Sequence, residues 1–233
     1  MHTVVALTLM RFEGIHRLWM FSQMAFARLP LRFTSGLRFW KLLGAGYGGG
    51  FSLRPDTARF GLLTVWDTEL EAQSFLRTSP VARAFFQRAA ETWTVLLQPT
   101  RARGKWNGRQ PFMPSAAPSS GEPIAVLTRA TIRLSCLARF WSHVPAANRA
   151  LADAEGVLFS IGIGELPFLR QATFSLWRSE ADLRAYAHQS EAHARAIRCT
   201  YTERWYSEEL FARFAVIHAE GSWEGRDPLG KKN

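Results

Sequence analysis

His193 has the setting in this chain that best suits chemistry. It lies in the stretch 179–198, with Ala192, Ala194 and Ala196 around it. That stretch holds no Gly or Pro and is rich in Ala, Leu, Arg and Glu, so it predicts a helix. Ser179 and the acidic residues after it suit the positive end of a helix dipole, and Arg195 and Arg198 suit the negative end. At about 100° per residue, Leu183, Tyr186, Ser190, Ala194 and Ile197 form one stripe. His193 falls roughly 60° from the centre of that stripe, while His188 turns away from it. The alanines leave room for something flat and wide. Two readings of His193 stand side by side: an axial ligand to haem iron, or a core-edge histidine bonded to a backbone carbonyl.

Other chemical constellations are missing. There is no Gly-x-Ser-x-Gly elbow, His-x-x-x-His pair or Cys-x-x-Cys motif. His188 and His193 are five residues apart, about 140° round a helix, and cannot share a metal. His2, His16, His143 and His218 have no obvious partners. Five glycines in Gly44–Gly50 invite a phosphate-loop reading, but no Gly-Lys-Ser/Thr follows, so a strand end and turn is expected. Glu208 and Glu209 are adjacent and read as a solvated helix.

Composition narrows the class. A chain of 233 residues with 47% hydrophobic and 21% charged residues can fold around a substantial core. No apolar run reaches the length of a membrane span. Met1–Leu7 lacks the pattern of a signal peptide, and Cys136 and Cys199 lack metal-ligand spacing, so the cytoplasm is the expected address. The net charge of +10 is scattered, with no recognisable nucleic-acid motif. An anionic membrane surface or an acidic electron carrier suits it better.

The elements that must position His193 come in two matching sets. Val4–Leu9 reads as a strand, and Ile15–Leu29 as a helix ending before Pro30. This helix is apolar almost all round. It is expected to pack on a sheet and against a partner subunit, or to face lipid with Arg17, Arg28 and Arg32 at phosphates. A strand end with a flexible turn follows in Phe39–Phe51 and a strand at Phe60–Trp66, then a helix at Thr68–Leu76, another from Ser79-Pro80 to about Thr92, and a strand at Trp93–Gln98. The order then recurs. Ile124–Thr128 echoes Val4–Thr8, and Leu158–Gly164 echoes Lys41–Gly46. Thr173–Trp177 matches Leu62–Trp66, and Gly221-Ser222-Trp223-Glu224-Gly225 matches Gly104-Lys105-Trp106-Asn107-Gly108. An offset of 111 residues, from Trp66 to Trp177, puts Ala82 where His193 stands, so only the second copy carries the histidine.

The expected architecture is therefore α+β: two tandem ferredoxin-like βαββαβ repeats with antiparallel sheets, of the dimeric α/β-barrel type. Residues 1–110 make the first repeat, the Pro- and Ser-rich 111–121 a linker, 122–226 the second repeat, and 227–233 a tail. Joined sheets would enclose a cavity between sheet and helices suited to a large apolar ligand. Phe159, Ile161, Phe168, Phe174 and Trp177 are expected as its walls, or as plain core, which strand residues of this pattern more often form.

Several long stretches resemble the spheroidene monooxygenase family of carotenoid ketolases. They are Phe39-Trp40-Lys41-Leu42, Leu127–Arg133, Phe159–Glu165, His193-Ala194-Arg195-Ala196-Ile197-Arg198 and Glu208–Phe214. The resemblance runs from Val4 to about Trp223. It implies a haem protein that uses dioxygen and an electron donor such as an acidic ferredoxin to oxidise an acyclic carotenoid to a ketone. It also implies His193 as the axial ligand; the charge of Arg198, on the same expected helix, suits a haem propionate. A non-catalytic haem or lipid carrier built on the same barrel is the rival expectation.

Overall fold

Alternating apolar residues make the strands, and closing the sheet on itself satisfies their backbone groups. The computed structural model describes residues 3–48, 50, 52–115, 122–189 and 203–230. Its first half runs β1 (Val4–Arg11), α1 (His16–Phe26), α2 (Arg28–Arg32), β2 (Phe39–Gly46), β3 (Pro55–Trp66), α3 (Glu69–Thr78), α4 (Pro80–Phe86) and β4 (Glu91–Gly104). The second half runs β5 (Ile124–Ile132), a 3-10 turn, α5 (Leu137–Ala152), β6 (Val157–Leu166), β7 (Arg170–Trp177), α6 (Glu180–Gln189) and β8 (Tyr206–Gly221). The eight strands form a closed antiparallel barrel in the order β1-β3-β2-β6-β7-β5-β8-β4. Closure leaves no open edge.

Strand parity sorts the side chains onto two faces. Val5, Leu7 and Leu9 of β1 turn inward with Leu43, Val95, Leu127, Ile161, Phe174 and Phe214, so the barrel is filled rather than hollow. Val4, Ala6 and Met10 turn outward beneath α1–α4, in a continuous cluster with Met20, Phe60, Trp66, Phe75 and Phe85. The outer face of the second half differs. Among the described residues it carries two small clusters, one around Trp177 and Leu183, the other around Phe140 and Trp205. Between them Thr128 is exposed, whereas Thr8, at the matching place in β1, is buried and bonded to Thr94 Oγ1 at 3.0 Å.

Local signals set the helix starts. Thr68 Oγ1 accepts from the Glu71 N–H at 3.2 Å, and a Glu71 carboxylate oxygen accepts from the Thr68 N–H at 3.1 Å, a complete capping box. Ser79, held extended by the following Pro80, ends α3 and caps α4 through the Val81 N–H. Ser179 caps α6, accepting from the Asp182 N–H at 3.2 Å, and Arg213 on the outside of β8 donates to Glu180 at 2.9 Å.

Several expectations are corrected. Pro30 does not end the first helix. The break falls at Ala27, and Pro30 is the third residue of α2, inside the first turn where no N–H is needed. The helix from Ser79 stops at Phe86, because Glu91 already pairs with Arg11. The last strand of the first half continues past Gln98 to Gly104, with a register shift between Pro99 and Arg101 that absorbs the proline. Glu208 and Glu209 lie in β8, not on a helix, because pairing with β5 outweighs local helix propensity. The expected cavity walls are split: Ile161 and Phe174 fill the barrel, Phe159 packs against that core, Trp177 lies on the outer face, and Phe168 is exposed.

Candidate functional site

Charged residues placed at inward positions of four strands meet at one mouth of the barrel. Inward parity carries Lys41 on β2, Arg129 on β5, Glu165 on β6 and Glu208 on β8. Lys41 Nζ donates to Glu165 Oε1 at 2.5 Å, and Trp106 Nε1 donates to Glu165 Oε2 at 2.7 Å. Arg129 Nη2 reaches the same Glu165 oxygen at 3.4 Å, and its Nη1 donates to Glu208. The N–H groups of Asn107 and Gly108 donate to Glu208 at 2.9 and 2.7 Å. The Trp106 ring lies 5.6 Å from Lys41 Nζ and 5.7 Å from Arg129 Cζ, within cation–π range.

Two cations and two carboxylates balance. Burial alone would raise the Glu165 carboxyl, but the hydrogen bonds from Lys41 and Trp106 outweigh it and hold Glu165 below the usual carboxylate range. Burial also pulls the Lys41 ammonium down, against the support of Glu165. Glu208 is held low by the Gly108 and Asn107 N–H groups and by Arg129, again against burial. Ionised and fully engaged at neutral pH, these carboxylates serve to lock strands and loop together rather than to donate protons.

The opposite mouth carries a simpler version. Glu91 accepts from Ser222 Oγ at 2.9 Å, the Gly225 N–H at 2.8 Å and Arg11 Nε at 3.2 Å. Arg–Glu–loop locks thus close both ends, beside the buried Trp106 and Trp223. The Lys41–Glu165 pair is added at one end; where the sequence copies match, Phe159 and Tyr47 stand in those places.

His193 and Arg198 lie outside the described residues. The helix that precedes them behaves as expected: Leu183 is buried, and the Tyr186 ring packs 5.1 Å from Trp177. Burial pushes the Tyr186 phenol up to about 12. His143 Nδ1 finds the Arg139 carbonyl at 2.9 Å. Among the described residues no group of three or more His, Cys, Asp or Glu is arranged to hold a metal. Sequence reasoning missed Lys41, Arg129, Glu165 and Glu208 as a group. The available signal was a single charge at an inward position of an otherwise apolar strand, and all four fall in stretches that carry the family resemblance.

No family model matches the chain. It is 41% identical over 232 residues to spheroidene monooxygenase of Rhodobacter capsulatus, covering 98% of this chain and 96% of that one. It is 39% identical over 229 residues to the enzyme of Cereibacter sphaeroides, covering 97% of this chain and 71% of that one. The chain belongs to the spheroidene monooxygenase family. A third member, from Rubrivivax gelatinosus, is 40% identical, covering 96% of this chain and 86% of its own length. The protein is accordingly an oxidoreductase of the monooxygenase class, and its network residues Lys41, Arg129, Glu165 and Glu208 belong to a monooxygenase scaffold. Among solved structures, an aldoxime dehydratase in complex with butyraldoxime shares the fold at a TM-score of 0.63, with 11% identity, covering 98% of this chain and 85% of that one. In this monooxygenase Thr128 is exposed on the outer face of β5, whose Ile124 and Val126 cluster with Leu183 of α6; His193 and Arg198 follow α6 in sequence.

Proposed function

We propose that this monooxygenase oxidises an acyclic carotenoid such as spheroidene at C-2 to a ketone, with dioxygen and electrons from a reduced acidic ferredoxin. Identity of 39–41% with three spheroidene monooxygenases over nearly the whole chain carries this reading. Two hydroxylations of one carbon give a geminal diol, which loses water to leave the ketone. The net charge of +10 suits an acidic electron donor. A water-insoluble substrate favours an enzyme working from the cytoplasm at the membrane surface.

The same proposal places a haem on His193, with Arg198 at a propionate. The described residues fit such a group in one respect. The second-half sheet leaves Thr128 uncovered between the Leu183 and Trp205 clusters, where the first half is packed shut. Haem bound there would supply the activation of dioxygen. The chain would supply the half-buried ring of Tyr186, backed by the buried Trp177, as an apolar flank that keeps bulk water from the reacting carbon. The repeated strand–helix order supports reading 1–110 and 122–226 as ferredoxin-like repeats joined by 111–121, with 227–233 as a tail.

The absorption spectrum of the purified protein, before and after dithionite, tests the haem assignment. A Soret band that shifts on reduction and is lost in His193→Ala is expected. A colourless, iron-free protein, or a band that survives the substitution with turnover intact, overturns it.

A further inference from the structure

The helices α1 and α2 turn an apolar surface to solvent. Ile15, Leu18, Phe21, Phe26, Leu29 and Phe33 are each 65–75% exposed, while Met20, Ala27 and Leu31 are buried on the opposite side. At about 100° per residue, Ile15, Leu18, Phe21 and Phe26 form one outward stripe of α1, and Arg17 lies along its edge. Arg28 and Arg32, both exposed, begin and end α2. Arg17 Nε donates to the Phe12 carbonyl at 3.1 Å and Arg28 Nε to the Met24 carbonyl at 2.9 Å, which holds both guanidiniums beside the apolar stripe. From Gly14 to Leu37 the sequence holds no Asp or Glu. The corresponding helix of the second half, α5, exposes no large apolar side chain among the described residues. A contiguous patch of this kind marks an interaction surface, and α5 does not share it.

We propose that α1 and α2 dock the protein on an anionic lipid bilayer. The apolar side chains enter the acyl boundary, and Arg17, Arg28 and Arg32 meet lipid phosphates. A second copy of the chain is the competing occupant. Two-fold pairing of this face sets arginines near arginines with no carboxylate in the segment to answer them. Phosphates supply the missing acceptors, and the net charge of +10 adds attraction at long range. Among the described residues no helix is long and apolar enough to cross a membrane, so this contact is peripheral. The inference gives the membrane-surface reading above a location, but it stands on these side chains whichever substrate the enzyme takes.

Flotation of the full-length protein with vesicles tests it, using equal parts phosphatidylglycerol and phosphatidylcholine, or phosphatidylcholine alone. The protein is expected to float with the anionic vesicles and much less with the neutral ones. The double substitution Leu18→Ser, Phe21→Ser is expected to lower binding about tenfold or more, with the melting curve unchanged because both side chains are already exposed. Arg17→Gln with Arg28→Gln should weaken binding to the anionic vesicles selectively. The proposal is overturned if the wild-type protein fails to float with anionic vesicles, or if the serine variant floats equally well. It is also overturned if the wild type stays off vesicles and sediments as a dimer that Phe21→Ser dissociates. A protein that proved inert toward carotenoid would leave each of these outcomes readable.

Discussion

Lys41 and Glu165 show how a nearly buried ion pair constrains both partners. Their side chains are 11% and 12% exposed, so each is costly without the other. Lys41→Met should cost about 3 kcal/mol in urea unfolding, and pairing it with Glu165→Gln should recover part of that loss; strictly additive losses would show the two residues to be uncoupled. The carboxylates of Glu165 and Glu208 sit below the ordinary value of 4.5 in the folded chain. Just below pH 4.5 the unfolded chain therefore binds more protons than the folded one. The stability they contribute is present above that pH and lost as pH falls through their folded values. Urea midpoints recorded against pH should fall steeply below about pH 4.5 in the wild type and less steeply in Glu165→Gln. An unchanged slope would mean that Glu165 is not held ionised by this network. At this scale the sequence was only partly legible. Helix periodicity picks out the inward Leu183 and Tyr186 of α6, but Lys41 and Glu165 stand 124 residues apart and meet only through strand register.

Element boundaries were legible where local chemistry decides them. Thr68, Ser79-Pro80 and Ser179 each start the helix that their side chains cap. Thr68→Ala removes one arm of the capping box and should lower stability by about 1 kcal/mol in thermal or urea unfolding; no change would deny the cap any role. The segments that misled are those where pairing partners decide. The residues of Glu208–Phe214 favour a helix by themselves, yet β4 and β5 both pair with that stretch and draw it into the barrel. Gly104 and Gly221 were visible as matched motifs, but their reason was not. Each has a positive φ, +87° and +90°, and a Cβ there would fall 2.2 Å from the carbonyl oxygen of Glu209 or Thr92. Only glycine lets the neighbouring strand approach so closely at each mouth.

Across the whole molecule, the repeated strand–helix order yields one closed barrel with two unlike outer faces. The first half is packed beneath α1–α4 and turns an apolar, basic edge outward; among the described residues the second carries two small clusters with Thr128 exposed between them. The order of elements could be read from matched motifs alone. The difference between the faces could not, because it depends on which side chains the helices cover. A scaffold of this form separates the tasks proposed here: docking on one half, a cofactor and substrate on the other. The most direct test of the central claim is turnover of purified protein with spheroidene, a reduced ferredoxin and isotopically heavy dioxygen, followed by mass spectrometry of the carotenoid. The expected product is a ketone whose oxygen comes from the heavy dioxygen, after exchange with water is controlled for. Unchanged carotenoid in the presence of reductant and dioxygen, or a product whose oxygen comes only from water, would contradict it.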